Sequence, residues 1–512
     1  MSNEKVVVID FGAQYAHLIT RRVRECGVYS ELISHNVSAK KIKDISPKGL
    51  ILSGGPSSVY SENAPIMDKS IFDLNIPILG ICYGLQLMVH MLGGDVLNAS
   101  KKEYGRADLH ISNNDSLFKG LNKSIVAWMS HGDTPTKIPD GFETIAHTDN
   151  STFAAIQNSN RKLFGVQFHP EVNHTPNGTD ILNNFLYQIC SCSKSWTMDS
   201  FITTQTERIK NQVGSDKVLC AISGGVDSTT AAALIHKAIG DNLVGVFVNH
   251  GLLRKGEHDD VVKILEKLLG SGFIYVNSSE RFISKLDGIS DPEQKRKIIG
   301  EEFIYVFQEQ SNKYGPFKWL AQGTLYPDVI ESAGSGSPAS KIKSHHNVAA
   351  LPPDMKFQLI EPLRDLYKDE VRKLASLLGI PEDLFSRHPF PGPGLSVRIM
   401  GAITREKIRI CRESSFIVEE ELKKSNNYSD VWQAFAIVGD DEAVGVLGDE
   451  RAFGHVVTIR VVSSVDAMTA DWVRLPYDVL ENMSNRITNE VLGVTWVTYA
   501  ISSKPPSTIE PH

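Results

Sequence analysis

Apolar positions along the chain fall into short continuous runs set between helical stretches. Lys5–Asp10 (KVVVID) is one such run, rich in β-branched residues and closed by Gly12, and it predicts a strand. A helix is predicted over 14–26. Strands follow over 49–53 (GLILS) and 76–81 (IPILGI), and then a helix through LQLMVHMLGG at 85–94. Further strands are predicted at 125–129 and 163–168, with the polar stretch 112–124 as surface turn. Continuous apolar strands alternating with helices describe an α/β unit on a largely parallel sheet.

The polar stretch 190–200 reads as a linker. After it the pattern restarts, with a strand over 217–222, a helix over 229–240 and a strand over 243–248. The block DPEQKRKIIG at 291–300 begins a charged helix. HPFPGPG at 388–394 suits neither a helix nor a central strand, because it is mostly proline and glycine. Beyond it, a strand at 395–400, a helix at 404–423 and strands at 435–438, 455–462 and 494–501 describe a small α+β domain. The polar, glycine-rich stretch 439–454 reads as a hairpin or mobile loop. SSKPPSTIEPH at the end would by itself be a frayed terminus. The expected domains are 1–192, 200–387 and 388–512.

Composition narrows the classes. With 41% apolar residues and charges of both signs, the 512 residues are not a disordered chain. Six cysteines without zinc spacing make neither a disulfide scaffold nor a zinc site, and point to reduced thiols in the cytoplasm. No run of 18 apolar residues predicts a membrane span, and MSNEKVVVIDFGAQ lacks signal-peptide architecture. The net charge of -7 argues against a bulk nucleic-acid binder. A local phosphate pocket remains open, and Lys341, Lys343, His345 and His346 are compatible with one.

Three features carry chemistry in the first region. Cys82 sits between a predicted strand and a helix, flanked by Gly80 and Gly84, as a nucleophile in a sharp turn requires. The helix start favours a thiolate. Alone, the same cysteine would suit a buried structural role. His169 at a strand end, with Glu171 two residues on, supplies a base and its orienting carboxylate. Ser53-Gly54-Gly55-Pro56 follows a strand and can turn amides toward an oxyanion. In the second region, Ser223-Gly224-Gly225-Val226-Asp227-Ser228 joins strand to helix. That geometry cradles phosphate, with hydroxyls from Ser223 and Ser228 and a magnesium-binding carboxylate in Asp227. Asp328 and Glu331 are further candidate magnesium ligands.

SGGP at 53–56, GICYG at 80–84, SHGD at 130–133 and FHPE at 168–171 together resemble class I glutamine amidotransferases, over essentially residues 5–190. The resemblance implies Cys82 as nucleophile, His169 as base and acid, and Glu171 as orienting residue. It further implies Gly55 and Tyr83 as oxyanion donors, and Gln86 and Asp133 as glutamine contacts. SGGVDS resembles the PP-loop of ATP pyrophosphatases, which transfer AMP to a substrate oxygen. With the blocks at 291–300, 322–332, 341–353 and 386–395, the chain resembles glutamine-hydrolysing GMP synthases. The implied fold is α/β: a class I glutamine amidotransferase domain, an adenine-nucleotide alpha-hydrolase-like (PP-loop) domain and the small α+β C-terminal domain.

The implied reaction takes xanthosine 5′-monophosphate, ATP, glutamine and water to GMP, AMP, pyrophosphate and glutamate. Mg2+ is the implied cofactor, with ATP as co-substrate and no zinc, haem or flavin. Partners are these small molecules, no nucleic acid and no membrane, with a homodimer through the C-terminal domain. Arg398, Gln433, Lys504, Thr508, Ile509 and Glu510 are the candidates for gripping the substrate nucleotide. Ala349-Ala350 stands where the family usually has two glycines, and Pro511-His512 where it usually ends in Trp-Glu. Competing readings fit less well. An asparagine synthetase needs a cysteine at position 2, which is Ser2 here. A tRNA thiolase needs relay cysteines and a basic surface, and a non-catalytic glutamine sensor would not need the intact motifs.

Overall fold

The structure is a computed structural model that describes residues 4–13, 15–329, 357–447, 450–464 and 469–512. Contacts divide the chain into two compact units, Met1–Phe201 and Ile202–His512.

The first unit runs β1 (Lys5–Asp10), α1 (Ala16–Glu25), β2 (Tyr29–Ser34), α2 (Ala39–Ile45), β3 (Gly49–Leu52), β4 (Ile78–Ile81) and α3 (Tyr83–Met91). It continues through β5 (Asp95–Ile111), β6 (Ser124–Lys137), β7 (Glu143–His147), β8 (Ala155–Asn158), β9 (Leu163–Val166) and α4 (Gly178–Asn183). The strands form one nine-stranded sheet in the order β2-β1-β3-β4-β9-β8-β7-β5-β6. The side from β2 to β9 is parallel, and β8, β7, β5 and β6 extend it antiparallel. Only the parallel side matches the largely parallel sheet expected. Its strands are covered on both faces, and Val7, Val8, Leu50, Ile51 and Leu79 are fully buried. That is why they read as continuous apolar runs. The antiparallel side has an exposed face, so β5 (DVLNASKKEYGRADLHI) alternates and shows no apolar run.

The second unit starts within α5 (Met198–Val213). It holds β10 (Val218–Ile222), α6 (Val226–Ile239), β11 (Leu243–Asn249), α7 (Glu257–Leu269), β12 (Phe273–Asn277), α8 (Ser279–Leu286), α9 (Pro292–Tyr314), β13 (Trp319–Ala321) and β14 (Gln358–Ile360). These strands form a parallel sheet, β12-β11-β10-β13-β14. Asp291 caps α9 by accepting from the Gln294 amide at 2.7 Å.

After α10 (Lys368–Leu377) come α11 (Arg405–Lys424), β15 (Gln433–Leu447), β16 (Glu450–Ser463), β17 (Asp471–Trp472), α12 (Tyr477–Glu490) and β18 (Val494–Tyr499). These strands form a second, four-stranded sheet. The strand expected at 395–400 is instead a 3-10 turn, Gly394–Arg398. Gly394 has a φ of +65°, and a Cβ there would stand 2.4 Å from the Leu252 carbonyl oxygen. The chain therefore turns at Gly394, and only Ile399 makes a bridge, to Val438. The stretch 439–454 continues β15 and β16 as a long hairpin, from Glu442↔His455 to Leu447↔Glu450. One apolar core joins Leu219 and Val246 of the five-stranded parallel sheet to Ile408, Val438 and Met483, so the expected division at 387/388 falls inside this unit.

Candidate active site

β4 ends at Ile81 and α3 starts at Tyr83, so Cys82 alone makes the turn. Its backbone stands at φ 50°, ψ -105°, a region that side chains other than glycine's rarely enter. The neighbouring glycines are required by space. A Cβ at Gly80 would lie 2.7 Å from the Leu85 amide nitrogen, and one at Gly84 would lie 2.4 Å from the Leu52 carbonyl oxygen. The Cys82 amide donates to Val166 at 2.8 Å, which ties the turn to the end of β9. Sγ donates to the Ser130 carbonyl, and Gln167 Nε2 donates to Sγ, both at 3.7 Å.

His169 lies three residues beyond β9. Its amide donates to Trp128 at 3.0 Å, and its carbonyl accepts from Thr175 Oγ1 at 2.7 Å. Nδ1 meets Glu171 Oε1 at 2.7 Å. A carboxylate accepts, so Nδ1 carries the hydrogen, which leaves Nε2 for the bond to Cys82. Burial opposes charging of this ring. The hydrogen bonds to Cys82 and Glu171, and the charges of both, outweigh that and hold the imidazole up at about 10. Tyr15 packs edge-on against the ring at 5.7 Å.

The loop at 53–56 borders both groups. A Cβ at Gly54 would meet His169 Cε1 at 3.5 Å and Cys82 Cβ at 4.0 Å. At Gly55 it would meet the Phe11 carbonyl oxygen and Tyr83 Cγ at 3.1 Å. Ser53 Oγ accepts from the Phe11 amide at 3.1 Å and fixes the loop's start. Gln86 and Asp133 are joined too, with Gln86 Nε2 donating to the Asp133 carbonyl at 2.9 Å. Asp133 Oδ1 accepts from Tyr60 at 2.9 Å and from Asn98 at 3.2 Å.

In the second unit, β10 leads into Ser223-Gly224-Gly225, and α6 starts at Val226. Gly224 has a φ of +80°. Ser228 Oγ accepts from the Ser223 amide at 3.1 Å and lies 3.0 Å from Ser223 Oγ, which brings both hydroxyls to the loop. Asp227 Oδ2 pairs with Lys368 Nζ at 2.5 Å, while Oδ1 is buried without a hydrogen-bond partner. Asp328 Oδ2 accepts from the Leu325 amide at 3.0 Å. A Cβ on Gly323 would stand 3.2 Å from the Ser228 amide nitrogen, so the chain at Gly323 abuts the start of α6. Glu331, Ala349-Ala350 and the basic cluster at 341–346 lie outside the described residues.

The terminal stretch is pinned, not frayed. Lys504 and Ala470 exchange backbone hydrogen bonds at 2.7 and 3.1 Å. Arg460 donates to the Ser502 carbonyl at 2.6 Å and the Thr508 carbonyl at 3.0 Å. Glu510 is held by Arg398 at 3.0 and 3.1 Å and by Gln433 Nε2 at 2.5 Å. Arg398 is 1% exposed, with its guanidinium over the rings of Phe435 at 4.2 Å and Phe390 at 4.9 Å. Ile509 is half-buried in the same stretch.

Comparison with known proteins follows these sites along the chain. The family described as "Glutamine amidotransferase class-I" matches residues 7–189, "NAD synthase" matches 200–285, and "GMP synthase C terminal domain" matches 420–511. A glutamine-hydrolyzing GMP synthase of Carboxydothermus hydrogenoformans is 56% identical over 506 residues, covering 99% of this chain and 99% of its own. Those of Gloeothece citriformis and Synechocystis sp. are each 52% identical over 517 residues, covering 100% of this chain and 95% of theirs. The chain belongs to the glutamine-hydrolysing GMP synthase family.

Several residues at these GMP synthase sites escaped the sequence reading. Gln167 touches the Cys82 sulfur but sits in a strand-end run without motif character. Lys368 reaches Asp227 from the start of α10, more than a hundred residues away in sequence. Arg460 holds the terminal stretch from the middle of β16. Lys295 and Arg296 of α9 lie near His512, where burial and then their charges hold the imidazole below its ordinary value. The KRK run at 295–297 was the available signal for those two.

Proposed function

We propose that this chain carries out glutamine-dependent GMP synthesis with its chemistry divided among residues 1–192, 200–387 and 388–512. Cys82 attacks the glutamine carboxamide carbon, and the oxyanion forms against the amides of Gly55 and Tyr83, the latter a free N–H at the start of α3. His169 protonates the departing ammonia, and Glu171 keeps Nδ1 occupied so that Nε2 serves the reaction. Water then releases glutamate from the γ-glutamyl thioester. Gln86 and Asp133 hold the amino-acid end of glutamine.

At the second site Ser223, Gly224, Gly225, Val226, Asp227 and Ser228 hold the ATP phosphates that leave as pyrophosphate. AMP is transferred to O2 of xanthosine 5′-monophosphate, and ammonia attacks C2 and displaces it. Arg398, Gln433, Lys504, Thr508, Ile509 and Glu510 grip the substrate nucleotide. Asp227 offers a magnesium ion one oxygen ligand: its Oδ1 is a buried acceptor without a hydrogen-bond partner, of the kind a hard cation takes. Asp227, Asp328 and Glu331 would hold it, and it would balance the charge of pyrophosphate.

The same reading includes a homodimer through residues 388–512. The far end of the β15–β16 hairpin leaves Val444, Val446 and Phe453 exposed, Phe453 by 73%. All six cysteines are unpaired, which fits the cytoplasm. Among the described residues, no helix is long and apolar enough to cross a membrane.

The observation that carries the reading is one chain bearing both the Cys82–His169–Glu171 line and a strand–SGGVDS–helix loop. The test is mass detection of GMP and pyrophosphate from xanthosine monophosphate and ATP. Cys82→Ala should lose glutamine use and keep ammonia-driven GMP formation, and Asp227→Ala should lose both. Failure of Cys82→Ala with ammonium salts would refute the division of labour.

A further inference from the structure

A second buried histidine–carboxylate pair lies beside the first. β5 and β6 are antiparallel partners whose register jumps between Asn98↔Asp133 and Glu103↔His131. Residues 99–102 therefore stand opposite Gly132 alone, and the ladder is broken there. This is where β6 passes the nucleophile. The Ser130 carbonyl accepts from the Cys82 thiol, and the Asp133 carbonyl accepts from Gln86. Side chains, not ladder bonds, have to fix this segment.

His131 does so on one side, with Nδ1 3.0 Å from the Asp133 carbonyl oxygen. A carbonyl only accepts, so Nδ1 carries a hydrogen. The other nitrogen, Nε2, faces Glu103 Oε2 at 3.2 Å, and the two side chains are only 2% and 7% exposed. With hydrogen on Nδ1, a neutral ring presents a lone pair at Nε2, and an ionised carboxylate presents nothing else. Two lone pairs at that distance, away from water, repel each other. Neither atom has any other hydrogen-bond partner. One proton therefore has to sit between them. Glu103 Oε1 is occupied by the Thr148 hydroxyl at 2.8 Å, and the Ser151 amide holds Thr148 in turn at 2.9 Å. Burial, with the charge of His169 added, holds the His131 ring below its ordinary value, and Glu103 and the Asp133 carbonyl only partly offset this.

We propose that Glu103 and His131 share one proton, and that Glu103 acts through His131 as a positioning residue for glutamine use. It would set the carbonyls of Ser130 and Asp133 against Cys82 and Gln86. This deepens the proposed function and rests on Cys82 being the nucleophile.

The test compares glutamine-driven and ammonia-driven GMP formation in the full chain for Glu103→Gln, Glu103→Leu and Cys82→Ala. A carboxamide keeps the shape and donates N–H to a neutral Nε2, so Glu103→Gln restores the contact without a shared proton. Its KM for glutamine should stay within about threefold of the unmodified chain. Glu103→Leu leaves Nε2 unpartnered and should raise that KM about tenfold or more, with kcat falling less. Ammonia-driven synthesis should be unchanged in both. A wild-type KM in Glu103→Leu, an equal loss in the two Glu103 variants, or a matching fall in ammonia-driven synthesis would overturn the inference. Glutamine use that persists in Cys82→Ala would overturn the nucleophile reading, and this inference with it.

Discussion

His169 is a residue of the proposed triad whose charge the fold alters. Its imidazole is held at about 10 against an ordinary 6.5, so its protonated form contributes stability in full below pH 6.5. That contribution fades as pH rises through 10. The denaturation midpoint of the unmodified chain should therefore fall toward that of His169→Gln between these limits. A constant gap across the range would show that the ring is not charged in the folded state. Gly84 is a residue-scale constraint of another kind. Gly84→Ala drives a methyl into the Leu52 backbone at 2.4 Å, with no flexible atom to give way. It should cost about 1–3 kcal/mol in urea denaturation and lower glutamine-driven synthesis.

The junctions between elements hold both proposed sites. Strand-to-helix turns place Cys82 and the SGGVDS loop, and in each a positive φ stands where the chain must turn sharply. Gly224→Ala puts a side chain at φ +80° and within 3.1 Å of Val261 Cγ2. It should cost about 1–2 kcal/mol and weaken ATP-dependent synthesis, while glutaminase turnover persists. Intact synthesis in that variant would exclude a phosphate-holding role for the loop. Such junctions were legible in the sequence because buried parallel strands leave continuous apolar runs, and glycines punctuate their ends. On the antiparallel side of the nine-stranded sheet only 125–129, a part of β6, was legible. β5 and β6 expose one face, so their polar residues hide β5, the rest of β6 and the Glu103–His131 pair. The residues at 395–400 misled in the other direction: they are apolar enough for a strand, but Gly394 packs against the Leu252 backbone and turns them into a 3-10 helix. Contacts such as Lys368 with Asp227 depend on where distant elements meet, which no local pattern carries.

At the scale of the whole molecule, the β15–β16 hairpin extends beyond the core that buries its first half. Phe453→Asp together with Val446→Asp should leave the fold intact and shift the proposed dimer to monomer in analytical ultracentrifugation. Unchanged sedimentation would exclude that surface as the interface. Fold order along the chain was readable from motifs, but the union of residues 202–512 through one core was not, because it joins side chains from two separate sheets. The turn at Cys82 bears on how such an enzyme fares under selection. Glycine is the residue its backbone favours, so Cys82→Gly should unfold later than Cys82→Ala, by about 1–2 kcal/mol. A search for variants that merely survive heating would therefore enrich a catalytically dead chain. Only a screen that also demands glutamine-dependent growth would keep the cysteine in place.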